Sequence, residues 1–80
     1  MHEFHLVENL IENVITKTKE GGHKKAVAIN VALGKDSHIN DENLKFLMEL
    51  KYKETVADGA QINVKHTEGK NVFVESIDVE

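Results

Sequence analysis

The stretch from Ala26 to Leu33 places the tightest limit on how this chain can fold. It alternates at period two: Val27, Ile29, Val31 and Leu33 fall on one side of an extended strand, and Ala26, Ala28, Asn30 and Ala32 on the other. The bulky side must lie against other elements; the small side forms a flat face, thinly solvated or covered by another molecule. The elements available to it are helices. Upstream, Leu6, Val7, Leu10, Ile11, Val14 and Ile15 step by one and three and mark one broad helical face, with Glu8, Asn9, Glu12, Asn13 and Lys17 opposite. That helix is expected from about Phe4 to Glu20. Its early Glu3 and Glu8 and late Lys17 and Lys19 suit the helix dipole. Gly21-Gly22 ends it, one of the pair in the left-handed conformation.

Downstream, Gly34 to Asn40 reads as a loop, and Asn40 or Asp41 as the N-cap of a second helix from about Asp41 to Lys53. Leu44, Leu47, Met48 and Tyr52 form its buried stripe, widened by Phe46 and Leu50. Both aliphatic stripes read as core. After the turn Ala57-Asp58-Gly59-Ala60, Ile62 and Val64 alternate with Gln61, Asn63 and Lys65. Thr67-Glu68-Gly69-Lys70 reads as a hairpin turn. Val72 and Val74 change parity relative to Ile77 and Val79, and a bulge at Glu75-Ser76 reconciles them. The expected fold is α+β in the order α-β-α-β-β: a two-layer sandwich, a three-stranded mixed sheet with two helices on one face, and one domain over residues 1–80.

Charge and composition narrow the function. A net charge of −4 opposes binding to phosphate backbones. No apolar run approaches the roughly 20 residues of a membrane span, and the acidic amino-terminal stretch with spaced apolar residues does not read as a signal peptide. The absence of cysteine removes disulfides, thiol nucleophiles, iron–sulfur clusters and thiolate zinc sites, and is compatible with the cytoplasm. No serine or paired carboxylate stands beside an evident base, so no enzyme is expected. A chain of this length buries only about 60% of its unfolded surface, so a partner or second copy would help it.

The chemistry concentrates in Met1-His2-Glu3-Phe4-His5. The terminal amine, the His2 amide nitrogen and its Nδ1 can close two fused chelate rings on one cation, with a further ligand from the Glu3 amide or carboxylate. Nitrogen-rich tetragonal sets of this kind suit Ni(II) and Cu(II), copper the more tightly. The alternative is that Met1 merely starts the chain and His2 is solvated. His5, three residues after His2, is a second ligand or a solvated first-turn residue. His38 is a distal ligand or a loop residue, and His23 and His66 read as ordinary surface residues. Lys24-Lys25 is a solvated connector or steers an acidic partner.

Taken together, these segments resemble the HypA/HybF family, the nickel metallochaperones of hydrogenase maturation. The resemblance runs through Met1-His2-Glu3 followed directly by an amphipathic helix, the strand ending at Leu33-Gly34 and the loop before the second helix. Thr55-Val56-Ala57-Asp58-Gly59-Ala60-Gln61-Ile62 is similar to the family's Thr-x-x-x-Gly-Ala-x-Leu junction, and Val74 to Glu80 to its closing strand. The family normally inserts a zinc-binding domain with two Cys-x-x-Cys pairs between its last two strands. Here Thr67-Glu68-Gly69-Lys70 stands in that place, as if antiparallel neighbours had been rejoined by a tight hairpin.

The resemblance implies Ni(II) as cargo; no zinc is expected, because the departure from the family removes its cysteine-bearing domain. His2 is the indispensable ligand, Glu3 supplies its backbone nitrogen or carboxylate, and Met1 its amine; in some members an acidic residue before the second helix also reaches the metal, a region occupied here by Asn40 or Asp41. It implies a maturation GTPase and a nickel-enzyme precursor, for hydrogenase or urease, as partners, in the cytoplasm. Because the ligands must be deprotonated, affinity is expected to fall as pH drops through about 6.5. The competing reading is a zinc-free protein-interaction module of the same fold that has lost metal delivery, with a homodimer formed through the alanine-rich face or the last strand edge.

Overall fold

A computed structural model describes residues 2–80, with side chains from residue 5 onward. The elements are α1 (His2–Glu20), β1 (Ala26–Gly34), α2 (Asp41–Lys51), β2 (Gln61–Thr67) and β3 (Val72–Val79). α1 buries Val7, Leu10, Ile11 and Val14, and the same stripe continues to Thr18. Thr18 is buried without penalty because its hydroxyl donates to the Val14 carbonyl at 2.7 Å. The helix then closes as the glycine pair requires: Gly22, at φ 73°, lets its own N–H reach the Lys19 carbonyl and the His23 N–H reach that of Thr18.

Asn40 caps α2, its side-chain oxygen accepting from the Asn43 N–H at 2.9 Å. Asn40→Ala is expected to lower stability by about 1 kcal/mol, read from thermal denaturation. The helix ends at Lys51, two residues before the expected Lys53. Tyr52 is its C-cap, and Thr55 receives the chain, its hydroxyl donating to the Tyr52 carbonyl and accepting from the Ala57 N–H. Tyr52 is a core residue. Burial, and then the Glu49 and Asp58 carboxylates, push its phenol above the ordinary value of 10.0. The folded chain thus holds this proton to higher pH than the unfolded chain does. The resulting stability is complete below about pH 10 and is lost as pH rises through the folded value. Between pH 9 and 11, on the order of the range where phenols titrate, the melting temperature of Tyr52→Phe should fall less steeply than that of the parent.

The sheet is mixed, in the order β2-β1-β3. β1 pairs in parallel with β2 and antiparallel with β3, so the most apolar strand is central. The expected neighbour pairing of the last two strands is therefore wrong. β2 and β3 lie at opposite edges, and Thr67–Asn71 is a crossover passing over the end of β1. Three hydrogen bonds hold it there: Gly34 N–H to the Asn71 carbonyl (2.8 Å), Lys35 N–H to Thr67 (2.8 Å) and Asp36 N–H to Gly69 (2.9 Å). Sequence showed a turn between two strands; it did not show that a third strand lay between them.

The bulge in β3 falls where the parity change puts it: Asn30 pairs with Ser76 and Val31 with Val74, leaving Glu75 as the extra residue. A second irregularity was not foreseen. Ala26 pairs with Val79 but Ala28 with Asp78, so Val27 is the extra residue of β1. This rotates Val27 out of the helix-facing row to 37% exposure and leaves Ala26 in the core. A further correction concerns α2, where Leu44 and Met48 are buried but Phe46 and Leu50 are 60% and 49% exposed. Each follows a buried residue by two positions, about 200° around the helix from Leu44 and Met48, and so lies on the exposed face.

The face of the sheet away from the helices carries a polar row. Asn63 donates to Asn30 and Asn30 to Ser76, at 2.9 and 3.0 Å, and Lys65 meets Glu75 at 3.2 Å.

Candidate metal centre

The chemistry gathers where β1 ends. β2 sets Ile62, Val64 and His66 at alternate positions. Ile62 is in the core and Val64 packs on it, so His66 shares their helix-facing side. There it meets α2. Asp41, the first residue of that helix, has its Oδ1 2.6 Å from His66 Nε2. His38, exposed in the preceding loop, lines the same 280 Å³ cleft as both. Of the two acidic-loop candidates, Asn40 is engaged in capping and Asp41 in the pair with His66. His66, expected to be an ordinary surface residue, is thus in direct contact with a candidate ligand. Its alternation with Ile62 and Val64 was the sequence signal that could have found it.

His5 lies 3.5 Å from Glu8, and Glu8 in turn 3.1 Å from Lys51 on α2. Further along, Ile15 and Lys19 share a groove with Glu54 and Thr55. The two helices therefore run in the same direction. Traced back from Glu8 and Lys51 at about 1.5 Å per residue, their first turns lie at one end of the molecule, the end that carries Asp41 and His66. Met1 lies outside the described residues, as do the side chains of His2 and Glu3. Among the described residues, no three His, Asp or Glu side chains converge closely enough to hold a metal ion by themselves.

The remaining candidates lie elsewhere. His23 lines a groove between α1 and the edge of β3, and Lys24 and Lys25 flank Glu54 near the carboxy-terminal end of α1. The Thr-x-x-x-Gly-Ala junction serves the fold: the Thr55 hydroxyl ties the turn, Gly59 adopts φ 82°, and Ala60 and Ile62 enter the core. No helix among the described residues is long and apolar enough to cross a membrane.

Known proteins resemble this chain in sequence and in fold. The family model described as hydrogenase/urease nickel incorporation, metallochaperone, matches residues 1–73. The chain belongs to the HypA family. This is a family of metallochaperones, not of enzymes. The hydrogenase maturation factor HypA of Methanocaldococcus jannaschii is 39% identical over 75 residues, covering 88% of this chain and 60% of that protein. HypA of Chlorobaculum tepidum is 30% identical over 70 residues, covering 88% and 62%. The chain thus spans about 60% of the length of the curated HypA relatives it matches. The solution structure of the nickel metallochaperone HypA from Helicobacter pylori superposes with a TM-score of 0.74 over 92% of this chain and 70% of that one. At 18% identity, that likeness establishes the shared HypA fold.

Proposed function

We propose that this chain binds Ni(II) through the amine of Met1, His2 and Glu3, and delivers it during maturation of nickel–iron hydrogenase or urease. The observation that carries this reading is the family match, which begins at residue 1 and so takes in Met1-His2-Glu3. The chemistry agrees with it. An amine, a deprotonated amide and an imidazole in succession form fused chelate rings, and ligands at a chain end can be displaced one at a time by a receiving protein. The partners under this reading are a maturation GTPase and the nickel-enzyme precursor, and no zinc is required, since the 80 residues hold no cysteine. The test is a calorimetric Ni(II) titration of tagless chain beside His2→Ala.

The second reading is an interaction module of the same fold that passes on no metal. Exposed Phe46 and Leu50, one turn apart on α2, favour contact with another protein. Equal and weak nickel binding by the parent and His2→Ala would select this reading.

A further inference from the structure

We propose that the groove between α1 and the free edge of β3 is a docking site for an extended peptide of a partner protein, one that pairs as a fourth strand and carries acidic side chains at the end nearest His23. The site lies away from the amino-terminal claw and is independent of either reading of it.

The backbone is the main reason. β3 is an edge strand, paired with β1 alone among the described residues. Glu80 turns both of its polar groups towards the chain entering β1: its N–H donates to the Lys25 carbonyl at 3.0 Å, and its carbonyl accepts from the Lys24 N–H at 2.8 Å. Along a strand these groups point alternately to the two sides. Asp78 and Ser76 therefore face β1, and Val79 and Ile77 each turn an N–H and a carbonyl outward. The same two residues, with Val74, set half-buried apolar side chains into a groove of about 430 Å³ whose other wall is α1. That volume falls within the roughly 300–1,000 Å³ of ligand pockets. Free backbone groups beside an apolar groove are what strand addition uses: the main chain supplies the bonds, and alternate side chains of the peptide fill the groove.

Charge selects the occupant. Lys17 and His23 line the groove. Four of the chain's ten cationic residues, Lys17, Lys19, Lys24 and Lys25, lie at this end, and among the described residues none of the four forms an ion pair. The Glu75 carboxylate, also at the groove, is held by Lys65 at 3.2 Å. On a chain of net charge −4 this cationic end draws acidic groups. The groove at the opposite edge, between β2 and α2, carries Asp41 and Glu49 beside Lys45 and does not. A second copy fits less well. Antiparallel pairing of β3 with itself sets Lys70, just before one strand, against the lysines at the end of the other, and parallel pairing abuts the two lysine clusters.

The experiment uses the full chain, isotope-labelled for NMR, with a metal chelator present. The probe is a short blocked peptide of two acidic residues followed by alternating valine and serine. In the free chain, the amide protons of Ile77 and Val79 should exchange with solvent faster than those of Ser76 and Asp78. Added peptide should shift the Ile77, Val79 and Lys17 amides and slow exchange at Ile77 and Val79. Lys17→Glu should weaken binding by about 5-fold or more, the upper range for an exposed ion pair, while Lys45→Glu at the other groove leaves it unchanged. A peptide with the same side chains but N-methylated at the residues that face β3 should not bind. The site is overturned if the peptide leaves Ile77 and Val79 exchanging as before, if it protects the β2 edge equally, or if Lys17→Glu binds as well as Lys45→Glu. It is also overturned if Ile77 and Val79 are already protected in the free chain; protection that grows with concentration would name a second copy as the occupant. None of these results bears on nickel, which the chelator keeps out.

Discussion

Gly34→Ala is expected to destabilise the fold by about 3 kcal/mol or more, at or beyond the upper end of ordinary overpacking. A Cβ at this position would lie 2.8 Å from the Gly69 carbonyl carbon and 2.9 Å from the Asn71 carbonyl oxygen, with the Gly69 carbonyl oxygen nearer still. All are backbone atoms, so no rotamer change relieves the clash. Nor can the crossover retreat, because the N–H groups of Gly34, Lys35 and Asp36 hold it from below. Against a total stability of roughly 4–12 kcal/mol for a chain of this size, the loss is large. It corresponds to a fall in melting temperature of about 12–24 °C. Gly69→Ala is the control. Gly69 has φ 88° but open space where its Cβ would be, so it should lose only about 1–2 kcal/mol through backbone strain. Should thermal denaturation find Gly34→Ala no worse than Gly69→Ala, the tight crossover over β1 is wrong.

His2→Ala is expected to lower Ni(II) affinity by at least about 100-fold. Removing a group that only supports a metal ligand costs 10–100-fold, and on the proposed reading the His2 imidazole is itself a donor that closes one of the two chelate rings. Stability should barely change, because the first buried residue described in α1 is Val7. One residue added before Met1 displaces the amine and should produce a similar loss with His2 intact. Titration calorimetry gives the affinities, and the visible absorption of nickel reports whether the nitrogen-rich set has been lost. An extended chain that binds as tightly as the parent would move the metal off the amine.

Much of the fold was legible because it is written in periodicities. The step of one and three from Leu6 to Ile15, the Gly21-Gly22 stop, the Asn40 cap and the parity slip at Glu75 are local signals with local causes, and each appears where the sequence puts it. Phe46 and Leu50 were misjudged because apolar character does not say which side of a helix a neighbour covers. Val27 was misjudged because a bulge opposite Val79 shows only once the strands are paired.

The candidate chemistry divides in the same way. Met1-His2-Glu3 could be named from sequence, since adjacent donors on one chain form a chelate whatever the rest of the molecule does. His66 could not be joined to Asp41, 25 residues away, until β2 was laid parallel to β1 and α2 was packed across both. Strand order was likewise beyond the sequence. Thr67 to Lys70 is long enough to turn between neighbours and also to cross one intervening strand end, and a turn signal reads the same in both cases. The tertiary structure decides between them, because only the buried row of β1 makes the central position the favourable one. What the sequence determined by itself was the set of elements and the ligands adjacent along the chain; which edges, faces and distant side chains meet was decided by burying one apolar strand under two helices.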